Sequence, residues 1–185
     1  MTEAGVVAPG GAAADRSPGG PPVVIVRHPR ENLSKCSVEP LRHRRDLAFT
    51  LRFVDWPCSA AEALGAGDPR AFIRLDPDGP PLTAADAHRG LVLVDATWRL
   101  ALPMHAAFAT VPGRSLGSGW RTAYPRSSKV FDDPDEGLAT VEALHAAFVL
   151  LGRPGADDLL RDYRWRDAWY RENASKLGSE GSPPR

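Results

Sequence analysis

The sequence predicts an α/β protein in which helices flank a mostly parallel sheet. Two observations support this fold class. Strand-like and helix-like segments alternate along the chain, as they do when parallel strands are joined through helices. The two strongest strand signals, VVIV at 23–26 and LVLV at 91–94, are continuous apolar runs. Such runs are typical of strands buried on both faces, which in parallel sheets are covered by helices.

The other elements follow from caps and periodicity. Ser37 is a suitable N-cap for a helix over residues 37–45, with Pro40 in its first turn. Apolar and polar residues alternate over 47–54, which predicts a strand. The later segments predict, in chain order, a helix over 58–64, a strand over 71–75, a helix from about 98 to 110, a strand near Trp120, a helix over 138–151 and a final helix over 157–173.

The chain of 185 residues suits one domain, which we place at residues 23–177. Residues 1–22, rich in Gly, Ala and Pro, are expected to form a disordered leader, and residues 178–185 a disordered tail. The leader lacks the features of a signal peptide, and no apolar run is long enough to span a membrane. We therefore expect a cytoplasmic monomer in which Cys36 and Cys58 are reduced thiols.

Several common enzyme classes leave no motif in this sequence. The five histidines form no His-x-x-x-His pair and the two cysteines no Cys-x-x-Cys pair, so we expect no metal site. The sequence contains no nucleophile elbow, phosphate-binding loop or dinucleotide fingerprint. These absences argue against serine hydrolases, nucleoside triphosphatases and dinucleotide-dependent enzymes.

Four short stretches suit ligand chemistry, and each also has a simpler explanation. RHPRE at 27–31 suits anion binding, or is a solvated loop with a local Arg–Glu pair. DATW at 95–98 places a carboxylate and an indole at the end of a buried strand, where they suit a cationic ligand or only cap and pack a helix. Aromatic and cationic residues interleave over 120–129, as in an RNA-binding surface or an ordinary basic loop. LATVEA at 138–143 opens a helix, which is a ligand site or a plain helix start.

The formal net charge of zero hides a segregation of charge along the chain. Residues 23–52 carry seven cations and three anions, and residues 114–129 carry four cations and no anion. Residues 53–90, in contrast, carry three cations and six anions. Because phosphate contacts need only a local basic surface, the neutral total does not exclude an RNA partner.

Taken in order, these stretches resemble one family. Residues 28–31 resemble the His-Pro-Arg-Glu element of DTW-domain proteins, and residues 95–98 resemble their Asp-x-Thr-Trp signature. Residues 138–143 resemble the Leu-Ser-Thr-x-Glu-Ala that opens a later helix in them. Lys-Cys-Ser at 35–37 is similar to an element of the related pre-rRNA enzymes. The resemblance covers about residues 23–152.

The resemblance implies an RNA aminocarboxypropyltransferase. These enzymes transfer the 3-amino-3-carboxypropyl (acp) group of S-adenosylmethionine (SAM) to a base nitrogen of uridine or pseudouridine in tRNA or rRNA, and they release methylthioadenosine. The implied co-substrate is SAM, the implied partner is RNA, and no metal is required. The implied α/β fold is SPOUT-like, with a C-terminal trefoil knot.

The chemistry of this reaction constrains the residue roles. Because the sulfonium loses its charge in the transition state, a carboxylate against the sulfur would slow the reaction. We therefore expect the catalytic Asp95 near the amino group of the transferred chain, or near the base N–H as general base, and the catalytic Trp98 against the methyl group. The implied SAM-binding residues are Ser37, Leu93, Thr97, Trp98, Leu138, Thr140 and Ala143, with Ser37 on the transferred carboxylate. The expected RNA-facing residues are Arg27, His28, Arg30, Arg121, Arg126 and Lys129.

Two alternatives use the same residues differently. The first is a SPOUT-like methyltransferase that transfers the methyl group of SAM to RNA. The second is an RNA-binding ribosome-assembly factor without catalytic activity.

Overall fold

A single parallel sheet organises the part of the chain that the computed structural model describes, residues 19–65, 67–125 and 137–178. Within these residues the sheet has five strands in the order β2-β1-β4-β3-β5, and all pairings are parallel. The strands are β1 (Gly20–Arg27), β2 (Phe49–Asp55), β3 (Phe72–Leu75), β4 (Gly90–Asp95) and β5 (Gly113–Arg114). The predicted parallel α/β fold is confirmed.

The register of the two central strands brings two charged residues together. Val26 pairs with Val94 across β1 and β4, and the next pair along is Arg27 with Asp95. The strand order also changes direction here, because β2 lies on one side of β1 and the later strands lie on the other. In parallel sheets, ligands bind beyond the carboxyl ends of the strands at such a point. The fold therefore places Arg27 and Asp95 where a ligand site is expected.

Helices cover both faces of the sheet. Helices α1 (Ala60–Leu64) and α2 (Trp98–Ala107) contribute to a buried cluster on one face, where Met104 packs with Val24 and Val92. On the other face, α3 (Thr140–Leu150), α4 (Ala156–Leu159), α5 (Arg166–Glu172) and α6 (Ala174–Leu177) pack in a second cluster. Alternate residues of the strands enter the two clusters, as the period of two in a strand requires.

Several predicted elements differ from those observed. The helix expected over 37–45 is a 3-10 helix at Glu39–His43, and Ser37 is not its N-cap. The serine hydroxyl instead accepts a hydrogen bond from the Val141 backbone N–H at 3.2 Å. Two further 3-10 helices lie at Pro69–Ala71 and Ala84–Asp86. Strand β1 begins at Gly20, inside the segment 1–22 that was expected to be a disordered leader.

The prediction of a strand near Trp120 is wrong. Trp120 is buried, but its backbone belongs to no strand, and β5 lies earlier, at Gly113–Arg114. Two glycines with left-handed φ, Gly117 at 71° and Gly119 at 86°, interrupt the extended backbone between these positions. The Trp120 indole N–H then donates back to the Leu116 carbonyl at 3.1 Å, which folds the segment onto itself.

The prediction of one final helix over 157–173 is also wrong, because the chain turns between α4 and α5. The turn contains Tyr163, whose hydroxyl donates to Glu142 Oε1 at 2.9 Å. Apolar residues at 163 and 165 are spaced by two, and a continuous helix would place them on opposite sides. Breaking the helix allows both rings to pack against the core.

Candidate active site at the carboxyl edge of the sheet

Asp95 is the centre of a buried hydrogen-bond network. It is the last residue of β4, and only 4% of it is exposed. Its Oδ2 accepts from Arg27 Nε at 2.9 Å and from the Cys36 thiol at 3.1 Å. Its Oδ1 accepts from the Thr140 hydroxyl at 2.9 Å. The carboxylate therefore joins β4 to β1, to the loop that follows β1, and to the first residue of α3.

Arg27 balances the charge of Asp95 inside the protein. It is 3% exposed, pairs also with Glu39, and lies 4.9 Å from the ring centroid of Phe53. Burial by itself would lower the pKa of the guanidinium, but the hydrogen bonds to Glu39 and Asp95 raise it above its ordinary value. Arg27 is therefore permanently charged, and its guanidinium is engaged in contacts within the site.

Cys36 acts in this network as a hydrogen-bond donor. Its sulfur lies 3.2 Å from Arg27 Nη2 and 3.1 Å from Asp95 Oδ2. Burial, and then the negative charge of Asp95, raise the pKa of the thiol to about 12. The thiol is thus protonated at neutral pH and is a poor nucleophile. Cys36 and Cys58 are both free thiols, as the sequence predicted.

Glu31 is a second carboxylate beside Asp95. Its carboxylate lies near the backbone N–H of Thr97, immediately before α2. Burial, and then the charge of Asp95, raise the pKa of Glu31 above its ordinary value, although the Thr97 backbone N–H and Arg27 oppose the shift. Glu31 belongs to the RHPRE stretch at 27–31, and its residue type and position alone predict no role for it. Its position after two cations made a local ion pair the simpler explanation.

Glu142 is a buried anchor that was likewise not predicted from the sequence. It is fully buried and accepts four hydrogen bonds, from Thr122 Oγ1 at 2.7 Å, Ala123 N at 2.8 Å, Ala139 N at 2.8 Å and the Tyr163 hydroxyl at 2.9 Å. It therefore fixes the segment after Trp120 against the start of α3. The sequence offers one sign of it, a glutamate at the third position of a helix. A glutamate there normally completes a capping box and makes no tertiary contact.

A pocket of about 420 Å³ opens beside this network, at the carboxyl ends of β3, β4 and β5. Its volume lies in the usual range for small-ligand sites. Five of the predicted SAM-binding residues line it: Leu93, Trp98, Leu138, Thr140 and Ala143. Three other predicted residues, Ser37, Thr97 and Asp95, are not part of the lining. Thr140 belongs to both the pocket and the Asp95 network, because its hydroxyl bonds to the carboxylate.

The pocket lining is partly apolar and partly polar. Leu93, Ala101 and Trp98 contribute apolar surface, whereas Asp76, His105 and Arg114 bring polar groups. Asp76 pairs with Arg74 at 2.5 Å. Burial, and then the charge of Arg74, lower the pKa of His105, so the imidazole is neutral at pH 7. Such a pocket fits a ligand with a nucleoside-like body and a few polar groups.

The residues expected to face RNA separate into three sets. Arg27 is buried and paired, so it offers no contact to phosphate at the surface. Arg30 and Arg121 are exposed, and His28 is half-buried with its Nδ1 accepting from the Arg30 backbone N–H at 3.1 Å. Arg126 and Lys129 lie outside the described residues.

The described part of the chain contains neither a metal-binding cluster nor a helix that could span a membrane. No cluster of His, Cys, Asp and Glu there is arranged to hold a metal ion. No described helix is both long and apolar enough to cross a bilayer.

The structure is similar to a solved one, that of the SAM-dependent rRNA:acp-transferase Tsr3 from Vulcanisaeta distributa. The two share 26% sequence identity with a TM-score of 0.61, and the match covers 85% of this chain and 80% of that chain. No family model matches this chain, and no curated protein matches it.

Proposed function

We propose that this protein is a SAM-dependent RNA acp-transferase. It would transfer the acp group to a base nitrogen of uridine or pseudouridine and release methylthioadenosine. The observation that carries this proposal is the pocket at the carboxyl edge, walled by Trp98 and joined to Asp95 through Thr140. The likeness to an rRNA acp-transferase at 26% identity supports it.

The pocket residues suit the parts of SAM. Leu93, Leu138 and Ala143 offer an apolar surface for the nucleoside. Trp98 offers a flat wall for the methyl group, which would leave the propyl carbon facing the RNA. Ser37 lies outside the lining and acts through α3, because its hydroxyl holds the Val141 N–H.

The charge arrangement also suits acp transfer. SAM supplies an electrophilic carbon on a sulfonium whose positive charge disappears as the carbon–sulfur bond breaks. The negative charge of Asp95 is already paired with Arg27, so the carboxylate would stabilise the ground-state sulfonium little. Its Oδ1 has one donor among the described residues, and a carboxylate oxygen accepts two. The remaining position suits the amino group of the transferred chain.

The nucleophile in this reaction belongs to the RNA. A base nitrogen attacks the propyl carbon, so the enzyme needs no nucleophilic side chain of its own. The raised pKa of Cys36 agrees with this, since the thiol nearest the site stays protonated. Membership of the DTW-domain family, a SPOUT-like fold with a C-terminal knot, a cytoplasmic location and a monomeric state belong to the same proposal.

Differential labelling of SAM tests the proposal. The protein is incubated with total tRNA or rRNA and with SAM labelled either in the carboxyl carbon or in the methyl group. We expect label in RNA from the carboxyl carbon alone. Label from the methyl group alone would identify a methyltransferase. Label from neither, together with unchanged RNA binding in an Asp95→Ala variant, would identify an RNA-binding factor without catalytic activity.

A further inference from the structure

Two side chains near Asp95 lie outside the pocket lining and have no part in the SAM site. Tyr124 reaches the site from the segment after Trp120, and its hydroxyl donates to the Lys35 carbonyl at 2.9 Å. The next residue after Lys35 is Cys36, whose thiol bonds to Asp95. Glu31 approaches from the same loop, with its carboxylate near the Thr97 N–H. Both side chains are half-buried, so each retains a surface for a ligand.

We propose that Tyr124 and Glu31 form the site for the acceptor base. The Tyr124 ring stacks on the base, and the Glu31 carboxylate accepts the base N–H and then its proton. This inference rests on the proposed function, because it names where the nucleophile binds.

Tyr124 is held as a rigid platform. Its ring meets the ring of Trp165 edge to face, with centroids 4.8 Å apart, and Trp165 packs in the same way on Tyr163 at 5.7 Å. The Tyr124 backbone N–H donates to Thr122 Oγ1 at 3.1 Å. Thr122 and Tyr163 are both fixed by Glu142. A ring held by a neighbouring ring, by the bond from its hydroxyl and by an anchored backbone loses little freedom when a base stacks on it.

Cations surround this platform, as an RNA strand requires. The guanidinium carbon of Arg164 lies 5.6 Å from the centroid of the Trp165 ring, and Arg164 is exposed. Lys35 and Arg30 are exposed on the loop that carries Glu31. Phosphates on either side of a flipped base would meet these cations. The charge around the platform therefore matches a nucleic acid strand.

Among the carboxylates of the site, Glu31 is best suited to take a proton. Asp95 has three donors and a guanidinium partner, and Glu39 is also paired with Arg27. Glu31 forms no ion pair with the described cations, and its pKa is raised by burial and by Asp95 towards the working range of a general base. Within the described part of the chain, the charged and titratable groups that face Glu31 are Asp95, Arg27 and Tyr124.

The proposed step balances in atoms and charge. The N–H proton of the base passes to the Glu31 carboxylate. The nitrogen forms a bond to the propyl carbon of SAM, and the carbon–sulfur bond breaks with its electron pair on sulfur. The products are the acp-modified base, neutral methylthioadenosine and a protonated Glu31, which returns its proton to water.

Two variants test this site in the full-length protein. Glu31→Gln keeps the shape and one acceptor but cannot take the proton. Tyr124→Leu removes the ring and leaves the hydrogen bonds to Glu142 in place. Glu172→Gln, a change of an exposed glutamate on α5, is the matched control. The readouts are transfer of carboxyl-labelled acp to RNA across pH, KM for RNA, and SAM affinity by calorimetry.

We expect Glu31→Gln to lower kcat by about 10²–10⁴-fold and to remove the rise of rate with pH, with little change in SAM affinity. We expect Tyr124→Leu to raise KM for RNA roughly tenfold or more, and Tyr124→Phe to recover most of that loss. If the wild type transfers acp and both variants match it, the acceptor site is refuted and the proposed function stands. Parallel loss of SAM affinity would also refute it. A wild type that transfers no acp overturns the proposed function itself.

Discussion

Replacing Arg27 by Met tests whether the Arg27–Asp95 pair holds the site together. The substitution leaves the Asp95 carboxylate, which is 4% exposed, without its counter-ion. Removing one partner of a buried ion pair costs about 3–5 kcal/mol, because the remaining charge is uncompensated. For a domain of this size each kcal/mol lowers Tm by about 2–4 °C, so we expect a decrease of roughly 6–20 °C.

Urea unfolding at pH 7, followed by tryptophan fluorescence, measures this loss. Arg161→Met is the control, because Arg161 pairs with Asp46 and Asp158 at the surface and its loss should leave the midpoint unchanged. A decrease below about 1 kcal/mol in Arg27→Met would refute the reasoning, since it would mean that Asp95 is solvated or protonated at no cost. The double variant Arg27→Met/Asp95→Asn should lose less than the sum of the two single losses, because the amide leaves no buried charge.

Three further outcomes are expected. Glu142→Gln places an amide donor against hydrogen-bond donors, so we expect the free energy of unfolding in urea to fall by about 1–3 kcal/mol. We also expect weaker RNA binding in a filter assay. Full stability of the variant would contradict the arrangement of four donors around Glu142. Trp98→Ala should lower SAM affinity in calorimetry and admit methyl label to RNA, whereas an unchanged label ratio would remove Trp98 from that role. Burial lowers the pKa of His145 from its ordinary 6.5 to about 4. Between pH 6.5 and pH 4 the unfolded state therefore binds more protons than the folded state. Stability falls as the pH drops through this range, by at most roughly 3 kcal/mol. Urea midpoints at pH 7 and pH 5 check this, and His145→Gln should flatten the dependence.

The sheet and the position of Asp95 were predictable because they depend on local signals. Continuous apolar runs mark buried parallel strands, and the residue after such a run lies at the carboxyl edge. The same rule also places Arg27 beside Asp95, since each follows a four-residue apolar run directly. Arg27 was expected to face RNA instead, because each strand end by itself does not show which residue lies beside it. Register between strands was the missing information.

The other differences arise where tertiary contacts override local preference. Ser37 has the side chain of an N-cap, yet its hydroxyl serves α3, which is 104 residues away in sequence. The helix expected over 157–173 has helical residues throughout, but the bond from Tyr163 to Glu142 favours a turn. Neither partner can be identified from the local sequence, because it lies in another segment of the chain. The spacing of the aromatic residues at 163 and 165 indicates only that the helix breaks. Such partners decide the geometry of the site, and they were not predictable from one sequence.

Several of the cations that are counted in the neutral net charge are paired within the body of the protein. Arg44, Arg74 and Arg114 each form an ion pair with an aspartate, so these cations contribute little to an external field. Among the described residues, Arg30 and Lys35 have no carboxylate partner, and both lie on the loop that carries Glu31. RNA affinity should therefore depend on a few free cations near the acceptor site and not on the total charge. Binding should weaken as salt rises, with a slope that decreases by about one for each of these cations replaced by glutamine.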